Sequence, residues 1–369
     1  MYFNESFLKD FMKIALVHEM LVKLGGAERV LRALLDMYPK SPVYTLFQNK
    51  KATEEWFKRV KVHPSYLQRY YELIKSPKWL IARMPEAIEQ FDFGRFDAVI
   101  SSSSAFAHGI DSGKVKHLCY CHSPMRYAWD YTHQYTKNMS APLRFATAHM
   151  LTELRIWDFK TASRPHKIIA NSKHVQKRVA KYWRRKAEVI YPPVNVKTFH
   201  PTAGHEDYFL IVSALTPFKK IDLAVKAFNK VGRKLVIIGD GAQRKALETM
   251  AKPNIEFLGR KEDPVVREYM QNCRALIFPG EEDFGITPVE AMAAGKPVLA
   301  YGMGGVTESV VAGKSGEFFN ELTVDSMLDG LMRLMLNEKH YDHKQIRKIA
   351  ERFDESVFEE KMRKAVKEI

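Results

Sequence analysis

Residues 278–301 read FPGEEDFGITPVEAMAAGKPVLAY. They pass from an apolar strand end through a glycine-containing turn into a helix, and from that helix into the next apolar strand. The spacing predicts a helix starting near Thr287 or Pro288, since proline is favoured in a first helical turn. The amides of Phe284, Gly285 and Ile286 would then lack intrahelical acceptors and be free to bind an anion or a sugar hydroxyl. Glu282 and Glu290 frame this turn with seven residues between them. Two carboxylates in that position suit a polyol beside a diphosphate, Glu282 accepting from sugar hydroxyls and Glu290 from ribose hydroxyls. An acidic surface loop followed by a solvent-facing helical glutamate would give the same spacing.

The same strand, turn and helix grammar extends outward in both directions. Upstream in this half, Phe209–Val212, Leu235–Ile238 and Ala275–Phe278 are short apolar runs separated by helical segments, and Val298–Ala300 follows. In the other half, residues 13–17 (KIALV) precede a Gly25–Gly26 step and an amphipathic segment with Val30, Leu31, Leu34 and Leu35 on one face. Further strands are expected at Ala98–Ile100, before a turn at Ser101–Ser104, at Leu118–Cys121 and at Ile168–Ala170. Such runs read as parallel strands whose carboxyl ends line one edge. The fold class is therefore α/β, two Rossmann-like doubly wound domains. A break is expected near YPPVNVKTFHP, residues 191–201, giving domains 1–194 and 195–349, with a C-terminal helix in 350–369 returning to the first domain.

Composition narrows the function classes. The 369 residues carry a net charge of +15. Residues 1–200 hold 33 Lys and Arg against 17 Asp and Glu, whereas 201–369 hold 25 against 26, so the basic surface belongs to the first half. An anionic partner is implied there. Residues 51–85 combine eight basic groups and three acids with Trp56, Phe57, Tyr66, Tyr70, Tyr71 and Trp79, a mixture suited to an anionic lipid interface. No nucleic-acid module is recognisable, and no run of 18 apolar residues suggests a membrane span. The first residues lack the pattern of a secretory signal, which predicts a cytoplasmic protein, and the basic aromatic stretch extends that expectation to peripheral attachment at the inner face of the cytoplasmic membrane. Cys119, Cys121 and Cys273 are read as reduced thiols, because no second ligand pair accompanies the C-x-C step.

On these residues the chain resembles the retaining glycosyltransferases of family 4, which have the GT-B architecture of two domains facing a cleft. The resemblance rests on Glu282, Glu290 and the wording FGITPVEAMAAGKPVLA. It extends to VSALTPFKKIDLAVKAF, residues 212–228, where Lys219 falls at the position of a phosphate-gripping lysine. Ala214 stands where the family often has an arginine, leaving Lys220 or a group of the first domain to compensate. The resemblance assigns Gly25 and Gly26 to a glycine loop near phosphate. It places His122, in CYCHSPMRYAWD, near the reacting sugar, with His18 and His108 as lesser candidates. The same resemblance implies that Gly239 of IGDG lies near the nucleotide, and Arg260 and Lys261 near its base. The catalytic candidates are thus His122, Lys219 and Glu282. The donor-binding candidates are Gly25, Gly26, Lys219, Gly239, Glu282, Phe284, Gly285, Ile286 and Glu290. No metal or cofactor is expected beyond the nucleotide-sugar donor, with GDP-mannose ahead of UDP-sugars. The implied acceptor is a glycan or a polyprenyl-diphosphate-linked glycan of surface-polysaccharide synthesis. A sugar-nucleotide epimerase, or a noncatalytic binder of membrane or nucleic acid, are the alternatives.

Overall fold

In the computed structural model, residues 12–130, 132, 136 and 139–369 are described. The chain divides into two units, Met1–Tyr191 with Glu359–Ile369, and Pro192–Phe358.

The first unit contains β1 (Ile14–His18), β2 (Met20–Leu21), β3 (Val43–Thr45), β4 (Phe47–Gln48), β5 (Val62–Pro64), β6 (Ala98–Ser103), β7 (Lys116–Cys121), β8 (Lys167–Ala170) and β9 (Glu188–Val189). Among the described residues, seven strands form a sheet in the order β5-β3-β1-β6-β7-β8-β9, while β2 and β4 pair separately. Every pairing is parallel. Strand order reverses between β1 and β6, and ligands of doubly wound sheets bind beyond the carboxyl ends at such a reversal. Helix Gly26–Met37 lies after β1 because its apolar positions fall on one stripe. Val30, Leu31 and Leu34 are fully buried, each contributing about 1.5–3 kcal/mol by leaving water.

The second unit contains β10 (Phe209–Val212), β11 (Leu235–Ile238), β12 (Ile255–Gly259), β13 (Ala275–Phe278), β14 (Val298–Tyr301) and β15 (Gly316–Phe319). Their order is β12-β11-β10-β13-β14-β15, again all parallel. Here the reversal falls between β10 and β13. The segments leaving those two strands are the ones that carry Lys219 and Glu282.

Two boundaries differ from the sequence reading. β6 continues through Ser103 instead of ending before a serine turn, because the hydroxyls of Ser101, Ser102 and Ser103 are buried with polar partners. A serine whose hydroxyl is satisfied inside the protein behaves as a strand residue. At the C-terminus, residues up to Phe358 stay with the second unit, and only Glu359–Ile369 join the first. The reason is local: Val194 donates its amide to Phe353 O (3.0 Å) and accepts from Glu355 N (3.2 Å). Entry to and exit from the second unit thereby run side by side. Beyond that point Met362 and Ala365 are buried, Arg363 stands over the Tyr38 ring, and Glu368 pairs with Lys167.

Candidate active site

In the second unit the chain leaves β10, makes a tight turn at Ser213–Leu215 and enters a short 3-10 turn, Pro217–Lys219. Lys220 then adopts φ +55°, a left-handed conformation that costs a non-glycine residue about 1 kcal/mol or more, before helix Ile221–Val231 begins. The segment after β13 crosses this corner at Gly280. A Cβ there would come within 2.9 Å of the Lys219 Cα and 2.8 Å of Phe218 O. Only glycine permits that approach, and it brings Glu282 to Lys219, whose Nζ pairs with Glu282 Oε1. Both side chains remain about one-quarter exposed, so the charges stay open to a ligand.

The same loop is held from its other side. Gly305 N donates to Glu282 O at 2.9 Å, and Cβ atoms on Gly304 or Gly305 would collide with the main chain of Glu282 or Asp283. The loop ends at Gly285, φ +88°, which serves as N-cap of helix Ile286–Ala293. That start lies slightly earlier than the sequence predicted, because the glycine supplies the left-handed entry directly. The amides of Gly285 and Ile286 have no acceptor among the described residues. Phe284 itself is a core residue: its ring is buried edge-on against Phe353 at 5.4 Å, so any part it takes in binding falls to its main chain. Glu290 sits one turn into the helix and is largely buried. Gly239, φ +141°, is pressed against the Ser213 carbonyl, where a Cβ would stand at 1.8 Å. Its lack of a side chain is thus required by the protein's own backbone. Arg260 and Lys261 follow β12 and are exposed.

The first unit gathers a different set. His122 follows β7 directly, its amide donating to Ser103 O at 2.7 Å and its Nε2 lying 2.8 Å from Ser102 Oγ. Ser102 Oγ also meets His18 Nδ1 at 3.1 Å, and His18 Nε2 faces Glu28 Oε1 at 3.5 Å. Gly25 caps helix Gly26–Met37, and a Cβ on it would stand 3.1 Å from Glu28 Oε2. Burial opposes charge on His18, but the bond to Glu28 and the charges of Glu28 and Glu19 outweigh it, so its pKa is raised. For His122 burial dominates and the charge on His18 adds to it, pushing the ring down to about 3 and leaving it neutral.

His108 parts company with these histidines. It is fully buried, stacks on Trp183 at 4.5 Å and meets Thr161 Oγ1 at 3.2 Å, a core position. Cys119 and Cys121 are buried free thiols, and burial pushes Cys119 up to about 12. Among the described residues no group of three or more His, Cys, Asp or Glu side chains could hold a metal ion. No helix among them is long and apolar enough to cross a membrane.

Sequence reasoning missed three residues that shape the first unit's strand ends. Glu28 and Ser102 join the two histidines. Glu19 Oε1 accepts from Ser103 Oγ (3.1 Å), Ala105 N (2.6 Å) and Phe106 N (3.1 Å), filling with a carboxylate the nest of amides beyond β6. The polar HE pair closing β1 and the serine tract in β6 were the available signals.

Two nucleotide-type sheets, each with its polar groups at the strand-order reversal, define the GT-B class of fold. Consistent with this, the structure aligns with a protein from Anabaena, HepE, solved in complex with UDP, at a TM-score of 0.73 and 18% identity over 97% of this chain and 100% of that one. The model of the family described as Glycosyltransferase Family 4 matches residues 24–198, and that described as Glycosyl transferases group 1 matches 196–353. The chain belongs to the family 4-like glycosyltransferases of GT-B fold. Among its relatives are an uncharacterised glycosyltransferase of Methanocaldococcus jannaschii, 32% identical over 47% of this chain and 50% of that protein, and an alpha-1,3/1,6-mannosyltransferase of Dictyostelium discoideum, 27% identical over 41% and 47%. The chain is thus matched over about half the length of these curated relatives.

Proposed function

We propose that this protein transfers a sugar, with retention of anomeric configuration, from a nucleoside diphosphate sugar to a glycan or a polyprenyl-diphosphate-linked glycan, releasing the nucleoside diphosphate. The observation that carries the reading is the meeting of Lys219 and Glu282 beside the open amides of Gly285 and Ile286. A lysine next to unpaired helix-start amides can balance a leaving diphosphate, the role metals fill in other transferases. Glu282 is suited to accept from sugar hydroxyls and Glu290 from the ribose, with the acceptor held by the first unit. Mannose from GDP-mannose is the first donor, supported by a mannosyltransferase among the relatives. A UDP-sugar is the second, supported by the UDP-bound structural neighbour.

The test is thermal unfolding of the purified chain with GDP, UDP, GDP-mannose and UDP-glucose. A nucleotide at about one hundred times its Kd should add about 2.7 kcal/mol to stability and raise Tm by several degrees. If none of the four shifts Tm at millimolar concentration, the transferase reading fails.

The acceptor reading extends to an anionic membrane surface. Tyr70, Leu73 and Ile74 of helix Leu67–Ile74 are exposed, as is Trp79 in the following 3-10 turn, whereas Phe57 and Tyr71 of the same stretch are core. Arg69, Lys75, Lys78 and Arg83 are exposed among them, a mixture that favours acidic headgroups. Sedimentation with vesicles containing phosphatidylserine should carry the protein down, phosphatidylcholine vesicles should not, and Trp79→Ala should weaken binding several-fold. Equal binding to both kinds of vesicle, or none, defeats this part of the reading.

A further inference from the structure

Four buried polar side chains from four separate segments form one chain of contacts. Glu28 stands in the first turn of helix Gly26–Met37, His18 closes β1, Ser102 lies opposite it in β6, and His122 follows β7. Register explains the meeting, because His18 and Ser102 are paired across the two strands. The contacts run Glu28 Oε1 to His18 Nε2 at 3.5 Å, His18 Nδ1 to Ser102 Oγ at 3.1 Å, and Ser102 Oγ to His122 Nε2 at 2.8 Å. All four are less than one-tenth exposed. Donor binding by Lys219, Glu282 and the amides of Gly285 and Ile286 does not require Glu28, His18 or Ser102 to touch a ligand.

A serine hydroxyl has a single proton to give. The Glu28 carboxylate facing His18 Nε2 at 3.5 Å favours the charged imidazolium, in which both ring nitrogens donate, Nε2 toward Glu28 and Nδ1 toward Ser102 Oγ. Ser102 must then direct its own proton to His122 Nε2. A neutral His122 that accepts at Nε2 carries its proton on Nδ1, and Nδ1 has no partner among the described residues. The tautomer decides the sign of the ring's interaction. An Nδ1–H attracts a hydroxyl or phosphate oxygen, whereas a bare Nδ1 lone pair repels a phosphate oxygen.

We propose that Glu28, His18 and Ser102 are positioning residues that hold His122 as its Nδ1–H tautomer, presenting a hydrogen-bond donor to a hydroxyl or phosphate oxygen of a ligand bound beyond the carboxyl ends of the first unit's strands. The inference rests on the transferase reading for what His122 meets, but the tautomer is a property of the free protein. The raised pKa of His18 and the lowered one of His122 agree with this proton arrangement. Gly25 has a place in it too, since a side chain there would crowd the Glu28 carboxylate.

The experiment is a two-bond nitrogen–proton correlation spectrum of the full chain labelled with ¹⁵N-histidine, the His122 signals being assigned by their loss in His122→Gln. Expected in the wild type is a neutral ring protonated at Nδ1. In Ser102→Ala the ring should move toward the Nε2–H form, with kcat falling about tenfold and the KM for donor little changed. Ser102→Thr, which keeps the hydroxyl, should restore the wild-type tautomer. A wild-type His122 protonated at Nε2 overturns the proposal without any variant, as does a Ser102→Ala protein whose tautomer and kcat are unchanged. Should the nucleotides fail to shift Tm while the Nδ1–H tautomer is found, the function falls and the proton arrangement stands.

Discussion

Lys219→Ala is expected to lower kcat/KM by about 100- to 1000-fold while changing stability by less than about 1 kcal/mol. The activity estimate follows from removing one preorganised charge aimed at a developing anion, which typically costs that much. Stability should hardly respond, because the Lys219–Glu282 pair is partly exposed and such pairs contribute about 0–1 kcal/mol. The alanine leaves the corner itself intact: Gly280 still meets the Lys219 main chain, and Lys220 still makes the left-handed turn. Glu282→Gln should be milder, since an amide oxygen can still accept from a hydroxyl. Steady-state kinetics with saturating acceptor and thermal unfolding of the same preparations decide it. A Lys219→Ala enzyme within a few-fold of wild type would remove the diphosphate from this corner.

How far the sequence announced this arrangement depended on the kind of signal. The second sheet was legible because its strands are continuous apolar runs and its glycines sit where backbone must approach backbone. Gly285 and the pair Glu282 and Glu290 could be placed on the correct loop and helix from residues 278–301 alone. What could not be read was which long-range partner satisfies a polar side chain. Ser101–Ser103 look like turn residues by composition, and only the histidines and Glu19 contributed by other segments make them strand. Glu28 reads as an ordinary first-turn acid favouring the helix dipole, and nothing local announces His18 opposite it. His108 and His122 both fall near predicted strand ends. Contact with Trp183 makes one a core residue, and contact with Ser102 joins the other to the polar chain. The return of the C-terminal helix was expected from residue 350, yet the pairing of Val194 with Phe353 and Glu355 holds the chain with the second unit for nine residues more.

A second large effect should appear in the pH dependence of stability, at Asp158. This carboxyl is fully buried, and its Oδ2 accepts both indoles, Trp129 Nε1 at 2.7 Å and Trp183 Nε1 at 2.6 Å. Burial pushes its pKa up from 3.8 to about 7, against the pull of those two hydrogen bonds. Its Oδ1 is buried without a hydrogen-bond partner, so that oxygen is where the proton resides. Above pH 4 the unfolded chain releases this proton while the folded chain keeps it. The group's contribution is therefore most favourable below about pH 4, is lost as pH rises toward 7, and stays constant beyond. At 1.36 kcal/mol per unit the whole change is roughly 4 kcal/mol at most. His108 Nε2, 3.5 Å from Oδ1, offers no compensating charge because burial holds that ring neutral, at about 3. Asp158→Asn keeps an oxygen for the indoles and places an amide where the proton was. Its unfolding free energy relative to wild type should thus rise by a few kcal/mol between pH 4.5 and 8. Urea titrations followed by tryptophan fluorescence measure this, and parallel stability curves for the two proteins would show that Asp158 is ionised in the folded chain throughout that range.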